Sequence, residues 1–146
     1  MHMKKVVLVG GCFDVLHPGH VIFLEKAKKA GEKLVVLLES DKKVRLLKGP
    51  NRPVHTQKDR AKILKSLKYI DQVINLPFIE KESEYDRVIK KIKPNIIATT
   101  YGYPDISHYQ RAAKLVGAKL KYVTNIYGHH SSSRIINWGL DKKNKS

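Results

Sequence analysis

Val6-Val7-Leu8-Val9 is an unbroken aliphatic run ending in Gly10-Gly11, the pattern of a strand covered on both faces. It predicts a parallel central strand. From His20 to Ala30 the apolar period changes: Val21, Leu24, Ala27 and Ala30 recur at helical spacing between lysines, and Gly31 stands where a helix would stop. Leu34 to Leu38 returns to the strand pattern. Strand, helix and strand in immediate succession make a βαβ unit, whose crossover should be right-handed.

The stretch from Ser40 to Thr56 carries Gly49, Pro50 and Pro53 among its basic residues. These breakers are too many for one regular element, so a functional loop is expected there. The pattern then predicts a helix over 59–68, a short strand at Val73-Ile74, a helix over 83–91 and a strand over 95–100. A helix over 107–116, a strand over 120–124 and a last helix from about Ser132 complete the series. This alternation defines an α/β fold, a Rossmann-like three-layer sandwich with a five-stranded parallel sheet and helices on both faces.

Composition narrows the picture. A chain of 146 residues suits a single domain, residues 1–146, with 141–146 a polar tail, and therefore one active site. A hydrophobic fraction of 42% fits a globular protein, and no apolar run approaches a membrane span. With no secretory pattern at the N-terminus and Cys12 as its one cysteine, the chain has no disulfide framework and is expected in a reducing cytoplasm. The charge of +16 attracts polyanions, either nucleic acid or phosphorylated metabolites, unless the lysines form only a solvated surface. The basic residues are spread over many elements and no RNA-binding aromatic signature is present, so no specific nucleic acid is expected.

The chemistry is concentrated after the first strand. In open α/β sheets ligands bind beyond the carboxyl ends of the strands, where the strand order reverses. Gly10 to His20 occupies that place, and the next helix is expected to begin at His20, offering free N–H groups and its dipole to an anion. His17 and His20 flank a Pro-Gly turn, so both imidazoles can face one anion, and Gly19 permits close backbone approach. The alternative is a turn residue and a helix cap. Asp14 either anchors the loop through backbone hydrogen bonds or belongs to the catalytic site. Cys12 has no base placed for it and reads as a small loop residue rather than a nucleophile. Lys48 and Arg60 are a mobile and a helix-fixed cation able to meet an anion. Ser131, Ser132 and Ser133 are expected to cap the last helix, either as a plain capping run or leaving N–H groups for an anion. No HExxH and no carboxylate cluster at ligand spacing is present, so no protein metal cage is expected.

The segment GCFDVLHPGH, Gly11 to His20, resembles the signature of the HxGH nucleotidyltransferase superfamily. This superfamily includes glycerol-phosphate cytidylyltransferases, archaeal FAD synthases and the adenylyltransferase domain of ADP-heptose synthases. Cys12 stands where the family usually has threonine or serine. Residues 40–54 with Arg60 are similar in type and spacing to the ADP-heptose synthase domains, whereas cytidylyltransferases carry a shorter lysine-rich version. His130 to Ile136 resembles the second family motif, with Arg134 where several relatives place a basic residue, and Gly102 falls in a glycine motif after the fourth strand.

The resemblance implies transfer of AMP from ATP to a phosphorylated small-molecule acceptor of sugar-phosphate type, with release of pyrophosphate. His17, His20, Lys48 and Arg60 would be catalytic. Gly11, Cys12, Phe13, Asp14, Gly19, Gly102, Ser131, Ser132, Ser133 and Arg134 would bind the nucleotide. It also implies magnesium carried with the triphosphate and a homodimer. Cytidylyl transfer to a polyol phosphate and FMN adenylylation are the enzymatic alternatives, and a basic nucleic-acid-binding protein is the non-enzymatic one.

Overall fold

The computed structural model describes residues 3–102 and 106–125. The element order is β1 (Val6–Gly11), α1 (Pro18–Lys29), β2 (Lys33–Leu38), α2 (Asp41–Lys48), α3 (Gln57–Lys65), β3 (Gln72–Asn75), α4 (Glu82–Ile92), β4 (Ile96–Thr100), α5 (Ser107–Val116) and β5 (Lys119–Thr124). The sheet order is β3-β2-β1-β4-β5, and every pairing is parallel. β1 is therefore central, as its aliphatic run predicts. The order reverses between β1 and β4, so the crevice above these two strands is the topological switch point.

The period-two alternation of the strands sorts the core into two layers. Val7 and Val9 of β1, with Leu34, Val36 and Leu38 of β2, face Leu24 and Ala27 of α1 and Ala61 and Leu64 of α3. Leu8 of β1, with Val35 and Leu37 of β2, faces Ile89 of α4 and Ala112 and Ala113 of α5. Leu24, Leu34, Leu38 and Leu64 are fully buried, and burial of each such side chain contributes about 1.5–3 kcal/mol. The amino ends of the strands are closed by side chains: Asn95 Oδ1 accepts from Val6 N at 2.8 Å and Asp71 Oδ2 from Leu34 N at 2.7 Å.

Three helix starts differ from the sequence pattern by more than one residue, each through a cap, and α3 also ends at Lys65 rather than at residue 68. Helix α1 begins at Pro18, not His20, because His17 is its N-cap and proline is well suited to the first helical position. The segment 41–48, expected within a loop, is helix α2: Ser40 Oγ accepts from Lys43 N at 3.1 Å, and the breakers all lie beyond Lys48. Helix α3 begins at Gln57, not Asp59, because Thr56 caps it. The loop proper is therefore 49–56, with a cis Arg52–Pro53 peptide. The last helix and the 141–146 tail lie outside the described residues.

Gly31 is required by contact rather than by dihedral angle. A Cβ there would meet Val7 Cγ2 at 2.6 Å and the Lys5 carbonyl oxygen at 2.9 Å. Gly31→Ala is expected to destabilise the fold by about 1–3 kcal/mol, the usual cost of overpacking. Urea unfolding checks this, and an unchanged midpoint would refute the contact argument.

Candidate active site

A cleft of about 670 Å³ opens at the switch point. Gly11, Cys12, Phe13, Asp14, His17, Gly19, His20 and Lys48 all line it. The loop between β1 and α1 is shaped by Phe13, which takes a left-handed backbone at φ 45° although it is not glycine. That conformation costs about 1–2 kcal/mol and is held by burial of the ring in the α1-side core. The same ring explains Gly11, where a Cβ would come within 2.9 Å of Phe13 Cε2. Phe13 then meets His20 edge-on with ring centroids 5.3 Å apart.

His17 and His20 stack on each other, with centroids 3.8 Å apart and planes 25° from parallel. His17 Nδ1 accepts from Gly19 N at 3.1 Å, which fixes the neutral ring's proton on Nε2. His20 Nδ1 is buried with no hydrogen-bond partner. Burial lowers the His20 pKa from 6.5 to about 3, assisted by the repulsion that a protonated His17 would exert and by the Lys48 ammonium, and opposed by a hydrogen bond to the Val15 backbone. His20 is therefore neutral in the free protein at pH 7.

The start of α1 corrects one expectation. Pro18 has no N–H, Gly19 N is bonded to the His17 ring, and His20 N and Val21 N both point at the His17 carbonyl at 3.0 and 3.3 Å. The first turn thus has its N–H groups engaged within the protein. What reaches an anion is the helix dipole and the imidazoles rather than free amides.

Asp14 serves as an anchor. Its carboxylate accepts from Arg52 Nε at 2.6 Å, Val54 N at 2.8 Å and His55 N at 3.0 Å. Burial pushes this carboxyl up, but the two backbone N–H groups and the Arg52 guanidinium outweigh it and hold the pKa below the ordinary range. The 49–56 loop is thereby tied to the loop that carries the histidines. Cys12 lines the cleft as a thiol, since burial raises its pKa.

Arg60 is not among the residues lining the cleft, and only 1% of its surface is exposed. Its guanidinium donates to His55 O at 3.0 Å, Cys12 O at 2.8 Å, Glu39 O at 2.9 Å and Asp41 Oδ1 at 2.7 Å. It lies beneath the site and ties the carboxyl ends of β1 and β2 to α2 and the 49–56 loop. Lys48, at the exposed end of α2, is brought to the cleft with the histidines. Gly102 follows β4 with φ 83° and is not among the lining residues. Ser131, Ser132, Ser133 and Arg134 lie outside the described residues.

Sequence reasoning missed the opposite wall. Glu39, Lys43, Tyr85, Asp86, Thr99 and Arg111 also line the cleft. Glu39 carried a usable signal: it is a charged residue ending the run 34–38, where strand ends face ligands in this kind of sheet. Tyr85 and Arg111 carried none, being ordinary polar positions of amphipathic helices. Among the described residues no group of three or more His, Cys, Asp or Glu side chains is placed to hold a metal ion. No helix among them is long and apolar enough to cross a membrane.

A parallel sheet of this order places paired imidazoles and a lysine over its switch point. Residues 8–137 match the model of the cytidylyltransferase-like family, and the chain belongs to that family. It is 40% identical over 123 residues to the bifunctional protein HldE of Aliarcobacter butzleri, covering 80% of this chain and 25% of that protein. It is 42% identical over 117 residues to the HldE of Campylobacter fetus subsp. fetus, covering 77% and 25%. The chain thus spans about a quarter of the length of these relatives. Among solved structures, the lipopolysaccharide core biosynthesis protein from Thermoplasma volcanium superposes with a TM-score of 0.66 at 27% identity, covering 84% of this chain and 97% of that one. Pantothenate synthetase from Thermus thermophilus, at 16% identity and a TM-score of 0.50, shares the fold.

Two tests follow from the geometry. Arg60→Met leaves buried carbonyls and Asp41 without their donor, so a loss of about 3–5 kcal/mol in urea unfolding is expected. A stable variant would show that the guanidinium is not the tie described. For His20 the folded pKa is depressed, so between 6.5 and about 3 the unfolded chain binds a proton that the folded chain does not. The stability contributed by neutral His20 is complete above pH 6.5 and is lost as pH falls toward 3. Unfolding midpoints across this window should fall more steeply for the wild type than for His20→Gln, and equal slopes would contradict the burial argument.

Proposed function

We propose that the chain transfers AMP from ATP to a phosphorylated small-molecule acceptor of sugar-phosphate type and releases pyrophosphate. The carrying observation is the His17–His20 stack at the switch point with Lys48 beside it. An acceptor phosphate oxygen attacks the α-phosphorus in line, the bond to pyrophosphate breaks, and no covalent enzyme intermediate forms. Catalysis is by positioning and charge stabilisation. His17, with its proton on Nε2, donates to a phosphate oxygen, and Lys48 meets the pyrophosphate end. His20 is neutral in the free protein, and the charge of a bound triphosphate favours its protonation, so nucleotide binding and proton uptake are linked at this residue. Arg60 supports the site from below rather than touching substrate.

ATP is preferred over CTP because the 41–60 segment has the length and residue pattern of the ADP-heptose synthase domains, and the HldE relatives point the same way. Magnesium would accompany the triphosphate in this reading and would supply charge neutralisation there. A homodimer belongs to the same proposal. The net charge of +16 gives only diffuse attraction to nucleic acid, which salt abolishes.

Pyrophosphate release should be followed for each NTP with magnesium and a panel of sugar phosphates, polyol phosphates and FMN. The expected outcome is turnover with ATP and a sugar phosphate. Turnover with CTP and a polyol phosphate, or with FMN, would replace this reading. In the productive pair, His20→Ala is expected to lower kcat by on the order of 10²–10³ with a small change in melting temperature. Near-normal turnover would remove His20 from the mechanism.

A further inference from the structure

The cleft has two walls belonging to opposite faces of the sheet. One carries the phosphate-handling groups. The other is apolar at its base, with Leu37, Ile89, Ile97 and Ala112, and holds the carboxylate of Glu39 deeper than those of Glu82 and Asp86, which pair with Arg111 on α5. A carboxylate beside a site built for phosphates is out of place electrostatically, since it repels every phosphoryl group that enters.

The placement follows from strand parity. β2 turns Leu34, Val36 and Leu38 toward α1 and α3, and Val35 and Leu37 toward α4 and α5. Glu39 is next in the second series, so it faces α4. There Tyr85 Oη donates to its carboxylate, lying 2.8 Å from Oε2 and 3.1 Å from Oε1. Gly11 O accepts from Glu39 N at 3.1 Å, which sets the residue beside the end of β1. The Lys43 ammonium, 5.5 Å from the Tyr85 ring centroid, donates to Ile79 O at 2.8 Å. Burial raises the Glu39 pKa, against the Tyr85 hydroxyl, Lys43 and Arg60. A half-buried carboxylate oriented by one tyrosine proton retains acceptor capacity, because a carboxylate offers about four lone-pair sites.

Resting on the nucleotidyl-transfer reading above, we propose that Glu39 is a specificity-determining residue that accepts hydrogen bonds from hydroxyl groups of the acceptor. Tyr85 is its positioning residue. The acceptor is then a polyhydroxylated phosphate ester: its phosphate end is drawn to the cationic wall, and its hydroxyl-bearing end lies against the α4 side. An amino-alcohol phosphate is the competing acceptor, since Glu39 would also attract an ammonium; Lys43 on the same wall opposes it, whereas Arg111 is already paired with Asp86 at 2.7 Å.

The test compares wild type, Glu39→Gln and Tyr85→Phe with three acceptors: a hexose phosphate, n-butyl phosphate and phosphoethanolamine. Acceptor-dependent pyrophosphate release gives kcat and KM, calorimetry gives ATP affinity and direct hexose-phosphate binding, and melting temperature reports folding. Wild type should prefer the hexose phosphate. Glu39→Gln should lower kcat/KM for it by about ten- to a hundredfold, chiefly through KM, as expected for hydrogen bonds to a charged group. It should not weaken ATP binding, and n-butyl phosphate should respond little. Tyr85→Phe should show a smaller loss of the same kind, and it carries the test alone if Glu39→Gln does not fold. The proposal is overturned by an unchanged hexose-to-butyl preference in a folded variant, by preference for phosphoethanolamine, or by no hexose-phosphate binding to wild type. Failure to bind or turn over any NTP would instead overturn the transfer reading, a separate readout.

Discussion

The geometry of the site rests on a single buried guanidinium. Three backbone carbonyls, from Cys12, Glu39 and His55, converge with the Asp41 carboxylate on Arg60. The Cys12 carbonyl lies just past the end of β1, the Glu39 carbonyl just past β2, and the His55 carbonyl at the foot of α3. Carbonyls directed into one buried space repel each other and cannot pair among themselves. A planar, permanently charged donor fork satisfies them together, which a lysine ammonium would do poorly. Asp41 also accepts from Gln57 N at 2.7 Å, so the helix that presents Lys48 is fastened to the same point. The histidine loop, the Glu39 wall and the lysine helix thus share one foundation.

The Asp14–Arg52 pair repeats this logic above the sheet. Both side chains are buried, at 2% and 6% exposure, and a buried ion pair is a weak source of net stability because desolvation offsets much of the attraction. Its effect is to define a conformation. The carboxylate collects two backbone N–H groups as well, and the loop that follows Gly49 is held in one path beside the histidines. Rigidity at that place is what a mechanism by positioning requires.

The fold was legible because its strands are short apolar runs separated by amphipathic helices, and a parallel sheet buried on both faces leaves that signature directly. Helix α2 was hidden because the breakers Gly49, Pro50 and Pro53 were averaged with the eight uninterrupted residues before them. The cap at Ser40 was the overlooked mark. His17, His20 and Lys48 were legible as members of one site from motif and spacing. Arg60 is legible as a fixed cation near the loop, but whether it faces a ligand or the protein depends on where carbonyl groups point, and side-chain identities do not encode that. Glu39 and Tyr85 come together across 46 residues of chain, through the packing of α4 on β2. No local pattern contains such a pair.

Parity in β2 has an evolutionary consequence. Leu38 and Glu39 are neighbours in sequence yet belong to different layers, one locked into the core beneath α1 and the other open to the cleft beside α4. Substitutions at Glu39 and along the cleft-facing side of α4 can alter which small molecule is accepted without disturbing the stacked imidazoles or the arginine beneath them. Selectivity and bond-making chemistry therefore mutate on separate elements. A duplicated copy of such a domain could drift toward a new acceptor while keeping its transfer machinery intact.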